Sequence, residues 1–124
     1  MIGRRCPAAW HRTTTGSDVE PLRGEVWDVR IPVVGVHPGV VLTINPLIPR
    51  LSSVTIAVIT GTPGPAPTHV PLGAEAGLTR YDTSYVNATD LHTVDQSRLR
   101  RRRGRLHPAE LQHLETAVRT YLGL

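Results

Sequence analysis

The chain has no lysine, a single cysteine and no long apolar run, and each absence excludes something. All 14 basic residues are arginine, set against 10 acidic residues, for a net charge of +4. Every side-chain cation outside the histidines is therefore permanent at physiological pH. With Cys6 as its one cysteine, the chain cannot build an intramolecular disulfide framework or a Cys-rich zinc site. No apolar stretch approaches the ~18 residues that a membrane span needs. The basic start lacks the apolar core of a secretory signal, so a small soluble cytoplasmic protein is expected. The phosphate-loop, GxSxG and HExxH patterns are missing too. The six histidines, His11, His37, His69, His92, His107 and His113, do not fall at metal-ligand spacing with carboxylates. Neither metal nor cofactor is expected.

What is present is one domain's worth of material. Apolar residues form 40% of the 124, enough for a real core. Eleven glycines and eleven prolines restrict long helices to a minor share. Charge is concentrated: six arginines lie between Arg98 and Arg105, and the rest of the chain is slightly acidic. Such a patch fits a polyanion or an acidic protein, or it is simply a solvated face.

Residues 1–21 are polar and aperiodic and are expected to be a disordered extension, with Trp10 inside it. From Arg23 the pattern changes. Trp27, Val29 and Ile31 alternate with Asp28 and Arg30, which predicts a strand over 23–31 with Trp27 in the core. Pro32–Gly39 reads as a turn, and Gly39–Ile44 as the second strand. Asn45-Pro46 breaks it. Ser53–Thr60 is apolar on both faces and predicts a central strand. A proline-rich loop leads to Thr68–Leu72, an edge strand because of Pro71. Residues 73–82 read as loop. Thr83–Ala88 and Leu91–Val94 read as two short strands, Asp95–Leu99 as a helical turn, and the arginine run as the last strand. Residues 107–122 predict the one long helix, with His107 as cap, Pro108 at its first position, and a stripe of Leu111, Leu114, Val118, Tyr121 and Leu122. The sum is a small, mainly β barrel carrying a C-terminal helix.

The ordered motifs RGEVW (23–27), HPGVVLT (37–43), AVIT (57–60), PTHV (67–70), GL (77–78), TVDQSRL (93–99) and GRL (104–106) resemble those of the MazF/PemK toxins of type II toxin–antitoxin systems. The resemblance is colinear over about residues 22–124. It implies an SH3-like barrel with a C-terminal helix, a homodimer, and metal-independent cleavage of single-stranded RNA at short sequences. It also implies a cognate antitoxin that lays a usually acidic tail over the RNA groove.

Such cleavage needs a base for the ribose 2′-OH, an acid for the leaving 5′-oxygen, and donors to the phosphate. In the family these tasks fall on an arginine just before the proline of the second strand and on a hydroxyl ending the third strand. Here the resemblance puts His37 before Pro38, and the hydroxyl is Thr60. A histidine exchanges its proton near neutrality but is a weaker permanent phosphate clamp than arginine. His92 likewise stands where many relatives carry arginine, in an Asp90-Leu91-His92 stretch. The segment 32–36 is short and apolar where relatives often have a longer loop with an acidic residue. Arg30, Asn45, Arg80 and His92 are the expected RNA contacts, and His69 is expected to be structural. Two functional classes stay open: an endoribonuclease toxin, and a barrel with weak or no catalysis that binds RNA or a protein target such as gyrase.

Overall fold

A computed structural model describes residues 20–79 and 83–124. The expected N-terminal extension falls almost wholly outside the described residues, as does Arg80. The described residues form six strands and a helix: β1 (Glu25–Ile31), β2 (Gly35–Val41), β3 (Ser53–Thr60), β4 (His69–Leu72), β5 (Ser84–Asp95), β6 (Leu99–Arg105) and α1 (Pro108–Leu122). The strands make one antiparallel sheet in the order β4-β5-β3-β2-β1-β6. The mainly β class with a C-terminal helix is the one the sequence predicted.

Strand alternation divides the apolar side chains between two cores. Val26, Val40, Ala57, Ile59, Val70 and Val86 point to one face, where Leu114 and Ala117 of α1 cover them. Trp27, Val29, Ile31, Val41, Val54, Ile56 and Val58 point to the other, around Ile48. β3 feeds both cores, as expected of a strand that is apolar on both sides. Trp27 is buried as expected, and its Nε1–H donates to Glu25 Oε1 at 3.0 Å. Glu25 is itself buried. It also accepts from the Leu22 N–H at 2.9 Å and from Arg102 Nη1 at 3.1 Å, so its charge is satisfied on both oxygens.

Three elements differ from expectation. β2 begins at Gly35, because its pairing with β1 continues to Ile31↔Gly35, so the turn shrinks to Pro32–Val34 and His37 lies on a strand. It also ends at Val41. The two short strands expected within 83–94 are one 12-residue strand, β5, with a bulge in place of the break. On α1 the cap at His107 and Pro108 hold, but Tyr121 and Leu122 stay exposed and Ala117 takes their place in the core.

The sheet curls until the 3-10 turn Ala74–Ala76 meets β6. That contact is backbone against backbone. Gly77 has φ +75°, and a Cβ there would run into the Arg103 carbonyl oxygen; a Cβ on Gly104 would meet the carbonyl oxygen of Glu75. At the other extreme, Val33 at the tip of the β1–β2 hairpin has φ +73° and is fully exposed. A β-branched residue is strained there.

The two positions predict opposite signs in a urea denaturation series. Gly77→Ala should lower stability by about 2 kcal/mol or more, through both clash and left-handed backbone. Val33→Gly should raise it by about 1 kcal/mol, because it relieves strain and loses no packing.

Candidate active site

The site originates in a missing hydrogen-bond donor. Just past the end of β2, the Leu42 N–H donates to the Thr55 carbonyl of β3 at 2.8 Å. Backbone groups of a strand alternate between its two neighbours, so the even-numbered residues of β2 face β3. Pro38 is even and has no N–H. It cannot donate to Ile59, and the β2–β3 ladder ends at Gly39↔Val58 while β1–β2 pairing runs on for four more residues. The strands part beyond that point. Continued in register, the next cross-strand pair with side chains on the Val58 face would have been His37 with Thr60.

A cavity of about 650 Å³ occupies the opening. His37, Pro38, Val58 and Thr60 line it where β2 and β3 separate, and Val34 and Val36 of the hairpin add an apolar wall. From β5 come Ser84, Asn87, Asp90 and His92; from β1 and β6 come Asp28 and Arg103. The expected pair His37 and Thr60 is thus brought together with His92 around one cavity.

The polar groups are held in specific ways. Thr60 Oγ1 accepts the N–H of Thr62 at 3.1 Å, which fixes the oxygen and leaves the hydroxyl proton to donate. His92 Nε2 lies 2.8 Å from Asp90 Oδ1. The carboxylate takes an N–H from Nε2, so the other ring nitrogen is the one left for a ligand. Asn87 Oδ1 accepts both the backbone N–H of Thr89 at 3.0 Å and its hydroxyl at 2.7 Å. This fixes the orientation of the amide and leaves its two N–H donors. Arg103 Nη1 is 3.1 Å from Asp28 Oδ1, and its Nη2 donates to the Gly77 carbonyl at 3.3 Å.

Other expected contacts lie elsewhere. Asn45 is at the far end of β2, where its Oδ1 accepts the Arg23 N–H at 2.7 Å; it acts as a turn former and is not a cavity residue. Arg30 is exposed on β1, on the same face as Asp28. His69 Nδ1 is 2.9 Å from Thr68 Oγ1, outside the cavity. Among the described residues no three His, Cys, Asp or Glu side chains form a metal-ligating group. No helix there is long and apolar enough to cross a membrane. Sequence reasoning missed Asp28, Asn87, Asp90 and Arg103. The two-residue spacing of Asp90 and His92 within a strand was a usable signal. Arg103 and Asp28 are 75 positions apart and meet only through the β1–β6 pairing.

Residues 22–122 match the family described as PemK-like, MazF-like toxin of type II toxin–antitoxin system. The chain is 31% identical to Endoribonuclease MazF4 of Mycobacterium tuberculosis over 84% of this chain and 94% of that protein. It is 32% identical to Probable endoribonuclease MazF2 of the same organism, over 82% and 97%. A mycobacterial endoribonuclease solved in complex with its cognate antitoxin superposes with a TM-score of 0.75 at 31% identity, covering 84% of this chain and 96% of that one. A MazE–MazF structure from Deinococcus radiodurans shares the fold at TM-score 0.71 and 19% identity, over 86% and 98%.

If the absent amide of Pro38 is what separates β2 from β3, Pro38→Ala should close the gap. The substitution creates a backbone N–H at position 38, which should bond the Ile59 carbonyl and be slow to exchange with deuterium in NMR. Exchange of that new amide as fast as in an exposed loop would refute this cause.

Proposed function

The chain belongs to the PemK/MazF family of type II toxin–antitoxin toxins, and on that premise we propose that it is the toxin endoribonuclease of such a system. Its substrate in this reading is single-stranded RNA, cleaved in the cytoplasm at the opening between β2 and β3. The observation that carries the reading is that His37 and Thr60 line one cavity together with His92.

The chemistry is an intramolecular transfer at phosphorus. A base takes the proton of a ribose 2′-OH, and the 2′-oxygen forms a bond to the adjacent phosphorus. The bond from phosphorus to the 5′-oxygen breaks, and that oxygen takes a proton. The products are a 2′,3′-cyclic phosphate and a 5′-hydroxyl. His37 performs proton transfer, for which an imidazole is suited near neutrality. Thr60, its oxygen fixed by the Thr62 N–H, turns its hydroxyl proton to a phosphate oxygen. His92, held by Asp90, contacts the RNA. Arg30 and Arg80 serve as further phosphate contacts. No step in this scheme calls for a metal ion.

The partners follow from the same premise. The chain acts as a homodimer and is silenced by a cognate antitoxin carrying an acidic segment. A mycobacterial relative solved in complex with its cognate antitoxin supports the pairing.

The test is a cleavage assay in EDTA on a long single-stranded RNA, from about pH 5.5 to about pH 8.5, bracketing histidine titration. Wild type should cut at discrete sites sharing a short motif and leave cyclic phosphate ends. His37→Ala should reduce turnover by about 10²-fold or more. Thr60→Ala should reduce it while Thr60→Ser retains it. RNA that is bound but uncut at every pH would replace the enzyme with the RNA-binding alternative.

A further inference from the structure

A cavity that cleaves a polyanion should not repel it, yet the described lining does. Asp28 and Asp90 each bring a negative charge, and Arg103 brings the one permanent positive charge among the described lining residues. That charge is spent on Asp28, 3.1 Å away. With both histidines neutral the lining is one negative charge in excess. A phosphodiester bound there needs cations from beside the cavity.

Strand register shows where they are. Arg101 of β6 is the cross-strand partner of Asp28, and Asp28 is the partner of Pro38 on its other side. Arg101, Asp28 and Pro38 therefore form one row on one face, spanning about 10 Å at the usual strand spacing. Arg30 is two residues along from Asp28 and shares its face, opposite the cavity residue Val36. Arg30 and Arg101 are both exposed, and neither has a carboxylate partner among the described residues. The neighbouring arginines of the run are committed differently: Arg102 to Glu25, and Arg103 to Asp28.

We infer that Arg101 and Arg30 form a phosphate clamp on the β1–β6 side of the cavity, which takes the backbone of single-stranded RNA next to the cleaved bond. The clamp supplies the fixed positive charge that the cavity itself lacks. The inference rests on the endoribonuclease reading. It also divides the arginine run by role, with Arg102 and Arg103 holding the sheet and Arg101 holding RNA. RNA is favoured over an acidic peptide as occupant because the row ends on Asp28 and Pro38 of the cavity lining, at the same opening that His37 and Thr60 border from the other face of their strands.

The test is binding of an uncleavable RNA with 2′-O-methyl riboses, followed by fluorescence anisotropy across a salt series. Variants are Arg101→Ala, Arg30→Ala, the double replacement, Arg80→Ala, and Arg119→Ala as a charge-matched control on the exposed side of α1. Arg101→Ala and Arg30→Ala should each weaken binding about tenfold. Each should lower the slope of log affinity against log salt by roughly 0.7, the value for one phosphate contact on a single strand. Arg119→Ala should change neither. Adding His37→Arg to the double variant puts a permanent cation inside the cavity and should recover at least part of the lost affinity. The inference is overturned if Arg101→Ala and Arg30→Ala behave like Arg119→Ala. It is also overturned if Arg80→Ala alone accounts for the loss, or if the arginine variants lose only antitoxin binding. Wild type that neither binds nor cuts RNA overturns the endoribonuclease reading as well; wild type that cuts normally with inert arginine variants overturns the clamp alone.

Discussion

One absent N–H organises this molecule. Pro38 sits inside a strand with neighbours on both sides, where proline is ordinarily excluded because it cannot complete a ladder. Its φ suits an extended chain, so β2 keeps its course along β1. Toward β3 the ladder stops at Gly39↔Val58. The same residue thus extends one hairpin and opens a gap on the other side. The side chains of His37 and Thr60, which would otherwise sit side by side on a closed sheet, instead border a cavity.

A gap in a sheet needs support elsewhere, and two polar clamps tie β6 to β1. Glu25 ties Leu22, Trp27 and Arg102 together, fixing β6 against the start of β1. Asp28 and Arg103 repeat the connection near the cavity, and Arg103 reaches on to the Gly77 carbonyl. Removing one partner from such a half-buried pair would leave an uncompensated charge, which costs more than the pair itself contributes. Two of the six clustered arginines are therefore structural. This explains why a run that looks like a uniform basic surface in the sequence is not one in the fold.

The class of the fold was legible from local pattern. Alternation marked β1, β-branched density marked β3, Pro71 marked the edge strand β4, and the cap and stripe marked α1. The errors share a cause. Pro38 and the Gly35–Gly39 pair look like turn residues, yet long-range pairing with β1 overrides that local preference. Thr89 and Asp90 look like a break, yet pairing with β3 on both sides makes them a bulge. Local chemistry does not register a partner strand. For the site, His37 and Thr60 could be picked out only by resemblance, since their approach depends on the register between two strands. Asp28 and Arg103 could not be picked out at all, because only the closed sheet brings them together.

The exchange of charge types around the cavity is a consequence of this geometry. Inside, His37 and His92 line the cavity, and His92 is held by the Asp90 carboxylate, an arrangement suited to moving protons and ill suited to holding phosphate. Outside, every permanent side-chain cation is arginine, which keeps its charge at all relevant pH and meets phosphate oxygens with two N–H groups at once. Separating the two tasks has a chemical advantage. A group that must give up its proton during the reaction loses its charge when it does so, and a polyanion anchored only by that group would be released at mid-reaction. Anchoring by Arg30 and Arg101, one and two strands away from His37, keeps the backbone in place whichever protonation state the imidazole has reached. The hairpin wall of Val34 and Val36 complements this by bordering the cavity with apolar surface.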